Sequence, residues 1–584
     1  MLAPRKGKAR PTALLALVAA LSFGCQRGRE PGTLIIAIEQ EPRGFDPRYS
    51  TGNAQSARIM QLIYDTLLVK DEKFELVPWL AERFEQSQDS TTFTFRLRQG
   101  VRFHDGRMLT SADVKYTFES ILRPEARSPI RSSLEKLSAI EAPDPLTVIF
   151  RAREPFHTFL GNLPAIGIIP QGAGQEQSSK PIGTGPFRFV SSKEGQSIWL
   201  EANPHYWAGA PEIRKLQIRI IPDNSTRQAA LMSGEVDLAY NAQFDPETIR
   251  ALSHRHYLQV VIGNGSNIAH LGINLTSPVL SNKKVRQAIA HAIDRQSIIS
   301  RLLRGQARRA DSILPPEQWA FEPMVKVYDY DPQLAKKLLD EAGYPDPDGD
   351  GPQPRFAITL MTSTAQLSRN IAAIMQEQLR RVGIKLNLQS LELATLLDRI
   401  NKAQFDLYYL VSVGANQSTD VFQFVYHSRY RDGEFDDLIA RLRAEPDPAR
   451  CQQVFDRLAE ILSRRDYCPN PEVDRLARQA AGASPASKKS LYLKIADMLL
   501  GRGGANRSRY CNPQVDRWII EAERATDRAT RKELYSKIQK ALSEDLPQIY
   551  LWYPANVLVA RTTVKNLRIE PSGAWYFISK LRLG

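Results

Sequence analysis

Two periods of hydrophobic and polar positions alternate along this chain, and the switches between them predict interleaved strands and helices. Thr33 to Ile38 is a continuous apolar run, the pattern of a strand buried on both faces. Phe93, Phe95 and Leu97 alternate with Thr94, Arg96 and Arg98, which predicts a half-buried strand, and a turn follows at His104-Asp105-Gly106. Thr110 with Asp113 forms a capping pattern ahead of Val114, Phe118 and Ile121 at helical spacing. One long amphipathic helix is expected over Lys283–Leu303, because Val285, Ala288, Ile289, Ala292 and Ile293 share a face. A second covers Leu367–Val382 and ends at Gly383, with a strand over Ile384–Leu388 behind it. The class is α/β with some α+β character.

The patterning also repeats. Tyr510-Cys511-Asn512-Pro513 through Asp516-Arg517 echoes Tyr467-Cys468-Pro469-Asn470-Pro471 through Asp474-Arg475, and Tyr430 through Leu438 is a fainter copy. Each is followed by a helical pattern, around Phe455, Tyr492 and Tyr535, with Asp-to-aromatic offsets of 19, 18 and 19 residues. Roughly 80 residues near 430–545 therefore read as extra copies of a helix-rich unit. They either enlarge the fold without a separate role or present a docking surface to another protein.

Length changes the picture next: 584 residues exceed what one hydrophobic core supports, so two or more domains are expected. Of the net charge of +14, four charges (Arg5, Lys6, Lys8, Arg10) lie in the first 24 residues, leaving +10 after them. No Lys/Arg block with interleaved aromatics occurs, which argues against nucleic acid. The basic start, the apolar stretch Ala13–Phe23 and Gly24-Cys25 have the layout of an export signal, too short to span a bilayer. A cysteine at that place resembles the lipoprotein signal, so residues 1–24 are expected to be removed and Cys25 acylated. Cys451, Cys468 and Cys511 remain, an odd count that allows at most one disulfide and a free thiol.

Glu41-Pro42 with Phe45-Asp46-Pro47 and Ile63-Tyr64-Asp65-Thr66-Leu67 resembles the opening of the dipeptide/oligopeptide-binding proteins of ABC importers, extracellular solute-binding protein family 5. The resemblance continues through Trp79-Leu80-Ala81, Phe95 to Gly106, Gly183-Thr184-Gly185-Pro186-Phe187, Ser233 to Asp237, Val285 to Arg295, Ala335 to Tyr344 and Gly383-Ile384. It implies a two-lobed clam shell of the type II periplasmic-binding-protein kind, with an additional inserted domain in lobe one and extra helices in lobe two. The expected division is a linker at 25–32, the lobe-one sheet domain in three parts (33–58, 184–271 and 552–584), the insertion at 59–183 and lobe two at 272–551. The hinge crossings are expected near Gly272-Ile273-Asn274 and Trp552-Tyr553-Pro554. The family ordinarily shows the repeated element once.

The resemblance also implies a peptide or peptide-like solute held between the lobes, a permease with its ATPases as partners, no cofactor, no catalysis, a monomer, and a place in the cell envelope, lipid-anchored on the outer side of the cytoplasmic membrane or in the periplasm. Dipeptide binders present a Trp and an Asp-Pro segment from lobe two, the acid pairing with the peptide amine. Here Val411 stands in place of the Trp and Gln417-Ser418 in place of Asp-Pro. The candidate solute-binding residues are Asn416, Gln417 and Asp420, with Arg369 and, from lobe one, Thr51. An oligosaccharide or metal chelate as cargo, and a sensor or chaperone-like envelope lipoprotein, stay open as alternatives. Some relatives carry a disulfide whose second cysteine matches Cys511, but the partner position reads Ser428; Cys468 and Cys511 stand at equivalent places in two of the repeats, and a bond between them is one candidate. Asp346, Asp348 and Asp350 resemble the first half of a calcium loop, yet Ala357 replaces the bidentate Glu at its twelfth position, so a metal-free acidic turn is the favoured reading.

Overall fold

The apolar run Thr33–Ile38 is a strand with a parallel neighbour on either side, Lys215–Ile220 and Leu238–Tyr240. Such a strand has no wet face, and its side chains divide accordingly: Leu34, Ile36 and Ile38 enter one buried cluster and Ala37 the opposite one. The computed structural model describes residues 30–49, 54–240, 244–349, 351–412, 422, 433–463, 471–500 and 506–584. The expected signal at 1–24 and the acylated Cys25 lie outside the described residues. No helix among those residues is long and apolar enough to cross a membrane.

The sheet around this strand has seven strands in the order Leu258–Gly263, Asn556–Arg561, Leu238–Tyr240, Thr33–Ile38, Lys215–Ile220, Ser197–Ala202 and Phe187–Lys193. A four-stranded antiparallel sheet, built from Ala81–Gln86, Thr92–Leu97, Thr147–Ala152 and Leu137–Asp144, has its own core. In it Phe93, Phe95 and Leu97 are buried while Thr94 and Arg96 are half-exposed, which is the alternation the sequence predicts. The helix Ser111–Leu122 packs on this sheet and starts with the Thr110/Asp113 capping box. A six-stranded sheet runs Ala307–Arg309, Gln548–Pro554, Ile268–Ile273, Leu407–Ser412, Phe356–Ser363 and Ile384–Leu391. The last two are parallel and are joined by the helix Gln366–Arg380 and a turn at Gly383, whose φ of +83° favours glycine.

The expected continuous helix over Lys283–Leu303 is interrupted. It runs only Lys283–Ala292; Ile293 is extended (φ −96°, ψ 111°) and a new turn begins at Arg295. Asp294 causes the break, because its carboxylate accepts the Ser297 N–H at 2.8 Å and caps the second segment. Ile289, Ile293, Ile298 and Ile299 nevertheless enter one core, which is why apolar spacing alone reads as one helix.

Three helical hairpins occupy the repeated region: Gly433–Ala444 with Gln452–Ser463, Pro471–Ala481 with Pro485–Leu500, and Pro513–Arg524 with Arg528–Asp545. The first two share a core, in which Phe455 stacks on Tyr492 at 5.7 Å and 20°. The third belongs to a different core, where Tyr535 stacks on Phe422 at 5.3 Å. Its start explains the Tyr-Cys-Asn-Pro segment: Tyr510 Oη donates to Asp545 at 2.6 Å, and the Asn512 side chain caps the helix through the N–H groups of Gln514 and Val515.

Candidate interlobe binding site

The chain passes between the seven-stranded and six-stranded sheets twice. It leaves at Gly263 and re-enters at Ile268, and it returns between Pro554 and Asn556. Gly272 and Ile273 lie inside a paired strand, opposite Tyr408 and Leu407, so the outward change of sheet comes earlier than the expected Gly272–Asn274. The strand is held from its first residue, Ile268, by pairing with Ser412. Gly272 has a packing reason instead: a Cβ there would stand 2.1 Å from the Tyr408 ring.

The two passages lie side by side. A Cβ on Gly265 would stand 2.2 Å from the Pro554 carbonyl oxygen, so only glycine permits this approach. Ala555 N–H donates to Gln306 O at 3.0 Å, and Ser266 N–H to Pro571 O at 3.2 Å. Asn556 Nδ2 donates to the carbonyls of Glu570 (2.8 Å) and Pro571 (3.1 Å). The Tyr553 hydroxyl sits 2.6 Å from both Ser312 O and Leu314 O, and burial raises its pKa well above the usual tyrosine value.

Both sheets turn the carboxyl ends of parallel strands toward these passages. Tyr240, the end of one strand, is opposite Leu558, two residues past the return passage, and Ser412 is opposite Ile268 at the outward one. That edge is where α/β sheets bind ligands. On the six-stranded side it presents Val411, 43% exposed, and half-buried Ser363 and Ser412. Arg369 stands in the first turn of Gln366–Arg380, just past that edge, exposed and donating to Thr364 O and Gln366 Oε1. Thr51, Asn416, Gln417 and Asp420 lie outside the described residues.

On the seven-stranded side the edge carries charged groups that no motif announced. Arg58 is half-buried on the helix Ala54–Ile63, with its guanidinium 5.4 Å from the Tyr240 ring and its Nε donating to Gly573 O at 3.1 Å. Burial lowers its pKa, against the opposing charge of Glu39 and Tyr240. Glu39 follows the strand Thr33–Ile38 directly, and its Oε2 is buried with no hydrogen-bond partner among the described residues. Its charge acts also on Arg227, which is almost fully buried. An arginine at a polar helix position gives no sequence signal; Tyr240 and Gly573, remote along the chain, define its setting.

Contacts also run between the lobes away from the hinge. Arg304 Nε donates to Glu247 at 2.7 Å, and Arg528 pairs with Glu75 while its guanidinium lies 4.7 Å from the Trp319 ring.

The acidic turn is occupied by protein groups: Asp348 Oδ2 accepts the Gln353 N–H at 2.8 Å, and Asp346 lies 3.6 Å from Arg355. Asp350 lies outside the described residues, among which no group of three or more His, Cys, Asp or Glu side chains is placed to hold a metal. Cys451 is a buried free thiol and Cys511 is disulfide-bonded; Cys468 lies outside the described residues.

The family model for bacterial extracellular solute-binding proteins, family 5 Middle, matches residues 75–434. The chain is 26% identical over 572 residues to the oligopeptide-binding protein AppA of Bacillus subtilis, covering 94% of this chain and 92% of that protein. It is 26% identical over 613 residues to di/tripeptide-binding protein 2 of Pseudomonas aeruginosa, covering 99% of each. Among solved structures, AppA in complex with a nonapeptide superposes with a TM-score of 0.70 at 24% identity, over 94% of this chain and 99% of that one. NikA from Brucella suis in complex with Fe(III)-EDTA superposes with a TM-score of 0.73 at 23% identity, over 94% and 100%.

Proposed function

The chain belongs to the bacterial extracellular solute-binding proteins of family 5, and from that premise we propose that it captures a peptide or peptide-like solute between its lobes for an ABC importer. One observation carries this reading: two sheets joined by two adjacent passages turn the carboxyl ends of their parallel strands toward one crevice. Relatives described as oligopeptide- and di/tripeptide-binding supply the solute class. Closure of the lobes on the solute is the mechanism, driven by contacts made only in the closed state, and no covalent step is involved. The closed form is then recognised by a permease whose ATPases lie inside the cell.

Acylated Cys25 would hold a monomeric receptor near that permease, and a mature charge of +10 suits anionic headgroups. Thr51, Arg369, Asn416, Gln417 and Asp420 remain the proposed solute contacts, and Cys468 the proposed partner of Cys511. The division at 33–58, 59–183, 184–271, 272–551 and 552–584 belongs to the same proposal, with the boundaries at 271/272 and 551/552 moved to the passages after Gly263 and after Pro554, where the chain changes sheet.

Metal chelates form a second reading. The exposed Val411 removes the aromatic wall expected of a dipeptide binder, and a similar solved structure holds Fe(III)-EDTA. Calorimetry of the mature protein with dipeptides to nonapeptides, nickel–histidine and oligosaccharides tests both. Binding of peptides alone supports the first reading; binding of chelates or sugars alone replaces it.

A further inference from the structure

We infer that Arg58 is the lobe-one group that recognises the solute, and that it does so through a carboxylate on that solute. The inference rests on the importer reading and names a chemical requirement of the same crevice.

Buried arginines elsewhere in this molecule are held by acceptors of its own fold. Arg286 donates to the carbonyls of Leu280 (2.9 Å), Ser281 (2.8 Å) and Asp545 (2.6 Å). Arg295 donates to Ala310 O (2.7 Å), Tyr550 O (3.0 Å) and Tyr328 O (2.7 Å), and pairs with Asp311 at 3.0 Å. Arg227 donates to the carbonyls of Ile221 and Pro222 and to Asn224 Oδ1. Taking a guanidinium out of water is costly unless its donors are met, and in these three both terminal nitrogens find acceptors within the fold.

Arg58 is arranged differently. Its Nε is fixed by Gly573 O, and the Tyr240 ring sets its plane, but its two terminal nitrogens have no hydrogen-bond or ion-pair partner among the described residues. One edge of the fork is therefore anchored and the other is left available. An anchored, preorganised fork loses little conformational freedom on binding and matches the two oxygens of a carboxylate. The location suits a ligand contact as well. Tyr240 ends a strand at the crevice edge, and Gly573 lies two residues from Pro571, which receives the Ser266 N–H of the outward passage. Glu39 acts electrostatically on both Arg58 and Arg227, and Arg227 has Asp223 as a further counter-charge.

The test compares tri- to nonapeptides carrying a free terminal carboxylate with the same peptides as terminal amides, by calorimetry on the full mature chain. Free acids are expected to bind about 10- to 100-fold more tightly than amides, the range for a hydrogen-bonded charge pair. Arg58→Gln should abolish that preference by weakening the acids far more than the amides, and Arg58→Lys should recover part of it. Phenylglyoxal modification of wild-type Arg58, mapped by mass spectrometry, should slow when a free acid is bound, a readout that needs no variant to fold. Amides binding as tightly as acids, or an acid preference that survives Arg58→Gln, would overturn the assignment and leave the importer reading standing. Binding of neither series would overturn both.

Discussion

Arg528, at the start of the last long helix of lobe two, meets both carboxylate oxygens of Glu75 on the inserted part of lobe one, with one of the two bonds at 3.1 Å. The pair is far from both passages in sequence and ties the lobes together on the outside of the hinge. Both side chains are about half exposed (53% and 40%), so its worth in water is modest, up to about 1 kcal/mol. Glu75→Lys is expected to weaken solute affinity about two- to fivefold at low salt with little effect on unfolding, the outcome of an exposed pair that bridges the lobes and so favours their closed arrangement. The swap Glu75→Arg with Arg528→Glu should restore part of the loss. Calorimetry on the double-mutant cycle checks this, and independent single effects would remove the latch.

Asp65 predicts a larger, structural effect. Its carboxylate accepts from Trp79 Nε1 (2.7 Å), Trp207 Nε1 (3.0 Å), Tyr206 Oη (3.0 Å) and Thr184 Oγ1 (2.9 Å). Burial raises its pKa, and these four donors work against that rise. Asp65→Ala leaves four donors unpaired, two of them on the buried Thr184 and Tyr206, and should cost roughly 3–5 kcal/mol in urea unfolding; Asp65→Asn should cost less.

The histidines His104 and His270 set an acid dependence. Burial lowers the pKa of each from 6.5 to about 4. His104 is held neutral, with Nε2 donating to Gly185 O at 3.0 Å and Nδ1 accepting the Gly183 N–H at 3.3 Å. On acidification the unfolded chain takes up protons first, so the stability present above about pH 6.5 is lost as the pH falls toward 4, by about 1.4 kcal/mol per group per pH unit. The Tm should fall between pH 7 and pH 5. His104→Gln should be less stable at pH 7 and show a shallower fall; an unchanged slope would count against His104.

Tyr492 tests whether the two added hairpins form one unit. Phe455 and Tyr492 stack inside a core that contains only residues of 433–500. Tyr492→Ala should cost about 3–5 kcal/mol locally and open this region to protease, with solute affinity unchanged. A parallel loss of affinity would tie the hairpins to the crevice.

The periodic elements were legible in the sequence because each is a local matter. Alternation at Phe93, Phe95 and Leu97 reports one wet face, and Thr110 with Asp113 reports a helix start, whatever lies beyond them. The break at Asp294 was not legible, since a capping carboxylate competes with an apolar face that continues through it.

The ordered motifs from Glu41 to Ile384 by themselves determined the family and the two-lobed class, because packing and turn chemistry of that kind is read along the chain. The crevice was decided by tertiary structure alone. The passages are set by the approach of Gly265 to Pro554, and the character of Arg58 by Tyr240 and Gly573. A guanidinium has the same sequence signature whether its donors are saturated, as at Arg286, or left open, as at Arg58; only the three-dimensional placement of acceptors separates the two.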